Sequence, residues 1–374
     1  MKLLVAGDFC PQNRVAELFD QGKYNLVLGE VKDVISAVDY SIVNFECPIT
    51  RGDEKAIEKC GPNLHCSEHG IEAARWAGFK CVTLANNHFL DFGEDGVDNT
   101  LKTCDRYKME YVGGGRTLSD AASVLYKKIG EQTLAIINCC EHEFSVATEK
   151  TAGSNPLNPI QQYYAIKEAK EHADFIVVIV HGGNEYYQLP SPRMKETYRF
   201  FIDAGADAVV NHHQHCYSGY EYYKERPIVY GLGNFCFDEK GNETKSWTEG
   251  YMAEIEFAEI VFLKLIPYNQ CGKTASIRLM SSDEHQAFLE AVNHINKTIL
   301  DDNVLTAEYS KFLKKSCKNI ELMFSPYSGR IGRALCRRGL LPSFMNKDKK
   351  KEILGFLQCE SHLPKIMDFL TKNN

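Results

Sequence analysis

Apolar runs that end on a polar motif are the feature that most restricts what this chain can fold into. KLLVAG (2–7) runs into Asp8, DYSIVNF (39–45) into Glu46, and KCVTLA (80–85) into Asn86, Asn87 and His88. DFIVVIV (174–180) runs into His181, ADAVVN (206–211) into His212, His213 and His215, and PIVYGLG (227–233) into Asn234. Runs this short and this apolar read as buried strands. The segments between them have helical spacing, at 70–79, 94–107, 159–171 and 193–204. Strands alternating with helices imply right-handed crossovers and a layered α/β core with helices on both faces. MEYVGGG (109–115) reads as a strand and turn, and VLYKKI (124–129) with TLAIIN (133–138) as a hairpin across Gly130. The stretch 250–268 alternates at period two, as antiparallel strands do, so the sheets should be mixed.

Beyond residue 283 the pattern turns helical, over 284–298, 303–320, 348–358 and 362–371, with a Gly-, Pro- and Arg-rich stretch at 325–344. We place a boundary near residue 282, giving a domain at 1–282 and a basic, mainly helical extension at 283–374. Charge supports the division. Residues 301–374 hold 14 Lys/Arg against 8 Asp/Glu, a balance of +6, in a chain of net charge −7. Lys314, Lys315, Arg330, Arg333, Arg337 and Arg338 suit a phosphate or a polyanion, while Lys347, Lys349, Lys350 and Lys351 read as a solvated face. The net charge gives no sign of nucleic-acid binding. No run approaches the ~20 apolar residues of a membrane span. MKLLVAGDF lacks the long apolar region and cleavage site of a secretory leader, so a cytoplasmic location is expected. The 14 cysteines are scattered, several inside apolar runs, which suits small buried side chains rather than a disulfide framework.

The polar motifs then define a site. Side chains at the carboxyl ends of parallel strands face the crevice where α/β proteins bind ligands. Asp8 stands there, with Gly7 read as permitting a tight turn. Glu46, beside Phe45 and before Pro48, needs a partner if buried, and a metal pair bridged by its carboxylate would supply one. Alone, Asp8 reads better as a helix N-cap or turn aspartate, and Glu46 equally well as an exposed loop residue. Asn87 offers a neutral amide oxygen to a metal. His88 is placed to give a proton to a leaving group, Asp91 to orient its imidazole, and Asn86 to cap the turn. His181 ends the most apolar run, with Gly182 and Gly183 allowing close backbone approach. Glu185 is either a supporting residue or faces substrate. His213 and His215 would share a face if extended, whereas a kink could aim them at two adjacent ions. His212 points elsewhere and reads as a supporting or structural residue, and Asn234 sits in a turn lining the floor; Asn86, Glu185, His212 and Asn234 are each within the set that could ligate or support a metal. Carboxylate, amide and imidazole together suit two divalent ions, Mn, Fe or Zn. Such a pair holds a bridging hydroxide for in-line attack on an ester. No G-x-S-x-G elbow or P-loop is present.

At these residues the chain resembles the calcineurin-like metallophosphoesterases, and within them the capsule-synthesis branch, the poly-gamma-glutamate biosynthesis proteins of CapA/PgsA type. The matching stretches are AGDF, VNFECPIT, GFKCVTLANNHFLDFG, VIVHGGNEY, HHQH and PIVYGLGNFCFD, in the family's order over residues 1–238. The resemblance implies a four-layer α/β/β/α sandwich with a helical C-terminal extension. It also implies Asp8, Glu46 and His215 on one metal, Glu46, Asn87, His181 and His213 on the other, and His88 as the catalytic histidine. Two departures stand out. Cys10 occupies a position where the wider superfamily often has histidine, leaving the Asp8 metal weaker or giving it a soft ligand. The bridging carboxylate is Glu46 rather than the superfamily's usual aspartate, as in the capsule branch.

The leading expectation is a metal-dependent phosphoesterase acting on a phosphorylated small molecule or a polyanionic polymer, connected with capsule or polyglutamate synthesis machinery. The alternatives are a non-catalytic component of such an assembly and a metal-assisted gamma-glutamyl amide-bond enzyme.

Overall fold

A computed structural model describes residues 1–239, 241–323, 329–342 and 345–358. The chain opens with β1 (Lys2–Cys10), α1 (Asn13–Asp20), α2 (Tyr24–Ser36), β2 (Tyr40–Phe45), α3 (His69–Ala77), β3 (Cys81–Thr83), α4 (Gly93–Tyr107), β4 (Glu110–Val112), β5 (Gly114–Gly115) and α5 (Leu118–Ala121). It continues with β6 (Leu125–Ile129), β7 (Gln132–Cys140), β8 (Gly153–Ser154), α6 (Pro159–Ala169), β9 (Phe175–His181), α7 (Pro192–Ala204), β10 (Ala208–His212), β11 (Tyr220–Tyr223), β12 (Arg226–Val229) and β13 (Asn234–Phe237). Next come α8 (Lys245–Thr248), β14 (Glu249–Glu256), β15 (Phe262–Gln270), β16 (Ile277–Leu279), α9 (Ser282–Leu300), α10 (Asp302–Met323), α11 (Arg330–Arg337) and α12 (Lys347–Gln358). The helix expected over 362–371 lies outside the described residues.

Two mixed sheets form the centre. One runs β16-β15-β14-β1-β2-β3-β4, with β13 also pairing β1, and the other runs β11-β12-β10-β9-β7-β6. Strands β1 to β4 are parallel, as are β7, β9, β10 and β12; the hairpin partner β6 and the strands β14 to β16 are antiparallel. Three apolar clusters separate four layers. Leu4 and Ala6 of β1 join Val27, Val31, Ile71 and Leu101 of α2, α3 and α4 on the outside of the first sheet. Leu3 and Val5, on the opposite face, meet Ile136, Val177 and Val210 of the second sheet. The other face of that sheet, through Ile137, Val178 and Val209, packs on Ile166, Tyr198 and Phe201 of α6 and α7. The architecture is therefore the α/β/β/α sandwich expected, and it follows from strands apolar on both faces needing cover on both.

Two compact units are present, Met1–Leu305 and Thr306–Asn374. The position near residue 282 is the start of α9, where Ser281 and Glu284 form a reciprocal capping box. This helix buries Phe288, Val292 and Ile299, and Phe288 meets the rings of Tyr217 and Tyr251 at 4.5 and 5.9 Å. No helix of the described residues is long and apolar enough to cross a membrane.

Helices α1 and α2, and the shorter α5, α8 and α11, have no counterpart among the segments of helical spacing. Gly7 also does something other than expected. The strand continues through it, and a Cβ there would lie 1.9 Å from the carbonyl oxygen of Gly233. The glycine is needed for close approach of the chain entering β13, which accepts the Asp8 N–H at 3.1 Å.

Candidate metal centre

The carboxyl ends of β1, β2, β9 and β10, the start of β13 and the turn after β3 converge on one edge of the sandwich. The pairing of β1 with β13 shifts register between Asp8 and Phe9, and that of β1 with β2 shifts between Ala6 and Asp8. This irregularity turns Asp8 into the crevice while Phe9 and Cys10 both enter the outer core. Cys10 thus lies outside the donor cluster; burial raises its thiol pKa to about 11, against a hydrogen bond with Cys47.

Two donor triads form among the described residues. One comprises Glu46, His181 and His213 and the other Asp8, Glu46 and His215, with the donor atoms of each within 4.8 Å of one another. Glu46 belongs to both. Its Oε1 lies 3.5 Å from His181 Nε2 and 3.6 Å from His215 Nε2. Asn87 Oδ1 is 3.0 Å from the same His181 nitrogen, and His213 Nδ1 approaches it at 3.0 Å. His213 and His215 take φ of 90° and 52°, left-handed values that favour glycine. The kink separates two imidazoles that an extended strand would place on one face, sending one to each triad. Such conformations cost on the order of 1–3 kcal/mol each and persist where the surroundings enforce them. Here the His213 N–H donates to Asp8 Oδ2 at 3.2 Å.

The donor set fits cations. Both Glu46 oxygens are buried without a hydrogen-bond partner. Burial, and next the charge of Asp8, raise the Glu46 pKa well above the usual carboxylate range. Burial, and next His213, push His181 well below the usual imidazole value, and burial holds His213 down at about 3. Neutral imidazoles around an unpartnered carboxylate leave acceptors without donors, a state that bound cations relieve.

Supporting residues fix the orientations. His215 Nδ1 donates to Asn234 Oδ1 at 2.9 Å, which leaves Nε2 as the lone-pair nitrogen facing Glu46. His212 Nε2 donates to the Ala6 carbonyl at 2.9 Å, tying the second sheet to β1. Asn86 accepts the His88 N–H at 3.1 Å and donates to the Phe45 carbonyl at 2.9 Å. Glu185 is exposed at the rim, and its charge is among those acting on Glu46.

His88 lies to one side, within hydrogen-bond distance of Asp91 through Nδ1 at 2.7 Å. The Asp91 Oδ2 also accepts the Leu64 N–H at 2.7 Å, and its Oδ1 pairs with Lys59 Nζ. Lys59 Nζ also stands 3.2 Å from His88 Nδ1. That nitrogen cannot accept from the ammonium and donate to the carboxylate together. The shorter contact to an acceptor-only oxygen places the proton on Nδ1, with Lys59 neutralising Asp91. The His88 Nε2 has no hydrogen-bond partner among the described residues.

Several of these residues carry no signal in the sequence. Lys59, with its side chain 2% exposed, comes from the irregular stretch after β2, where a lysine ordinarily reads as solvated. Asn44 donates to Asp8 Oδ1 at 2.7 Å and reaches His181 Nδ1 at 3.2 Å; its place two residues before Glu46 was the available clue. Glu143 stands 3.9 Å from His213 Nε2. Tyr186, 60% exposed at φ 60°, stacks on Trp247 at 6.2 Å, and Trp247 flanks His215 at 5.4 Å. Together they make an aromatic wall beside one triad.

Donors from both sheets, gathered at one edge in two triads that share a carboxylate, define an α/β/β/α protein with a candidate divalent-metal centre. Residues 2–239 match the family described as bacterial capsule synthesis protein PGA_cap, and the chain belongs to that family. It is 32% identical over 253 residues to the capsule biosynthesis protein CapA of Bacillus anthracis, covering 66% of this chain and 62% of that protein. It is 32% identical over 244 residues to the PGA biosynthesis protein CapA of Bacillus subtilis (strain 168), covering 64% of each. The chain thus spans less than two thirds of the length of these relatives. Similar solved structures include a novel phosphatase of Mycoplasma pneumoniae, 16% identical with a TM-score of 0.44, over 73% of this chain and 95% of that one. Another is a 5'-nucleotidase precursor of Thermus thermophilus, 13% identical with a TM-score of 0.41, over 80% and 59%.

Proposed function

We propose that this chain is a metal-dependent hydrolase of phosphate esters. Asp8, Glu46 and His215 would hold one divalent ion, and Glu46, Asn87, His181 and His213 the other. One observation carries the reading: a fully buried Glu46 with both oxygens unpartnered stands between two triads of neutral or anionic donors. When bound, the ions supply Lewis acidity toward an ester oxygen and an attacking water. The chain's own contribution is orientation and proton transfer. Asn234 fixes the His215 tautomer, and Asn44 holds Asp8. His88, with its Nδ1 proton held by Asp91, presents Nε2 to give a proton to the departing oxygen. Lys59 positions Asp91 rather than touching substrate.

The family's names place relatives in capsule and polyglutamate synthesis, and we assign the esterase to that setting, with a phosphorylated small molecule or a phosphorylated polymer as substrate. Metal analysis of the purified chain, followed by a panel of aryl phosphate monoesters, diesters and γ-glutamyl amides, tests this. We expect about two ions per chain and turnover of a phosphoester. A fully loaded protein inert toward every phosphoester would sink the reading, and turnover of the amide alone would move the chemistry to the γ-glutamyl bond.

A further inference from the structure

The strand ends opposite the candidate metal centre border a second, open concavity. Tyr40 opens β2, Lys80 precedes β3 and Glu110 opens β4, whereas Glu46 and Asn87 follow the far ends of β2 and β3. A cavity of about 370 Å³ lies there, lined by Arg75, Lys80, Lys108, Lys127 and Lys128 against the carboxylates of Asp39 and Glu110. Both acids are already engaged. Glu110 accepts from the Tyr40 hydroxyl and pairs with Lys127 Nζ, and Asp39 Oδ2 accepts the Lys2 backbone N–H at 2.7 Å. Arg75, Lys80, Lys108 and Lys128 have no ion-pair partner among the described residues. Lys108 ends α4 at φ 53°, a position and conformation that usually select glycine, so a side chain stands where none is the easier choice. Five cations against two carboxylates leave a balance of +3 around one cavity and focus positive potential into it, in a chain of net charge −7.

We propose that this cavity is a binding site for a multivalent oxyanion, a ligand carrying at least two phosphate or carboxylate groups. The concavity is open to solvent on one side, so it can admit a ligand longer than itself. That suits a diphosphate, a tricarboxylate or a few consecutive side chains of an acidic polymer. Arg75 supplies a planar fork and the lysines point charges, a mixture that accepts either oxyanion. The site is independent of the metal chemistry and lies apart from it.

Calorimetric titration of the full chain in chelator, so that no metal bridges the probe, tests this with pyrophosphate and with a short glutamate oligomer. Lys80 and Lys128 are exposed and their side chains make no hydrogen bonds, so Lys80→Glu/Lys128→Glu should fold normally, which thermal unfolding checks. We expect the double variant to weaken binding at least tenfold, wild-type affinity to fall with added salt, and hydrolysis of a small aryl phosphate to stay unchanged. Tighter binding of pyrophosphate identifies a free small anion, and tighter binding of the oligomer an acidic polymer; either supports the site. Should the charge reversal lower the unfolding temperature, Lys80→Gln/Lys128→Gln must weaken binding in the same direction. Failure of both probes to bind at millimolar concentration, or an unchanged Kd in the variants, overturns it.

Discussion

Glu46 decides more than any other side chain. In the metal-free protein its raised pKa means that stability falls as pH rises from the ordinary carboxylate value toward the folded one. His181 and His213 act in the opposite sense. Their folded pKa values lie below 6.5, so the unfolded chain takes up protons first, and stability is lost as pH falls from 6.5 toward about 3 for His213. In chelator-treated protein the two contributions oppose each other between the ordinary carboxylate value and pH 6.5, and single variants separate them. Glu46→Gln should remove the loss that sets in as pH rises from the ordinary carboxylate value, and His213→Asn should reduce the loss on falling below pH 6.5 by up to ~1.4 kcal/mol per pH unit. Urea unfolding across pH measures both, and slopes identical to wild type would contradict the assignment. Glu46→Gln should also raise the unfolding temperature of the metal-free protein while reducing its metal content. A residue retained only for stability would not behave that way. For His88→Asn the expectation is retained metal and a 10²- to 10⁴-fold loss on alkyl esters, with far less loss on nitrophenyl esters, whose leaving group needs no proton. An equal loss on both classes would remove His88 from the role of acid. Such residues were legible because each follows a strand. Lys59 was not, since only tertiary packing buries a lysine from an irregular segment.

Among the elements, β1 matters most because two neighbours insert against its end. The sequence announces the strand and the glycine within it, but not that β13 returns to lie beside Asp8, as that pairing joins residues far apart in the chain. Gly7→Ala should show the difference between a turn glycine and a contact glycine. A methyl 1.9 Å from the Gly233 carbonyl meets backbone, which cannot rotate away. We expect destabilisation of at least ~1–3 kcal/mol, together with loss of metal from the Asp8 triad, because Asp8 hangs on the same contact. Thermal unfolding and metal stoichiometry check this; a wild-type result in both would restore the turn reading. The helix α2 had a readable signal in Tyr24, Val27, Leu28, Val31 and Ile35, spaced to cover one face. By contrast, the left-handed φ of His213 and His215 has no sequence signal, because local preference argues against it and the tertiary packing around Asp8 enforces it.

At the scale of the whole molecule the question a truncation answers is where the α/β/β/α body ends. The change to helical spacing beyond residue 283 places a boundary near residue 282, because sequence spacing registers where helices begin and not which body they pack on. Contacts divide the chain after Leu305, and α9 lies before that division. Phe288, Val292 and Ile299 are buried by that helix, and at about 1.5–3 kcal/mol each they represent much of a typical domain's net stability. Lys195, 3% exposed on α7, also pairs with Asp302 at 2.7 Å, so removing the later residue strands a buried ammonium. A chain ending at residue 281 should therefore unfold at much lower temperature than one ending at Leu305, which should keep wild-type stability and metal content. Equal stability of the two would move the boundary back to 282. The shorter chain that survives also isolates the tail. Residues 306–374 hold 14 Lys/Arg against 6 Asp/Glu, a balance of +8, and Arg330, Arg333 and Arg337 stand exposed on α11. If those cations gather a polyanionic substrate, the chain ending at Leu305 loses the salt dependence of KM on a polymeric ester while its kcat on an aryl phosphate is unchanged. An identical salt dependence in both chains assigns the tail to solubility instead.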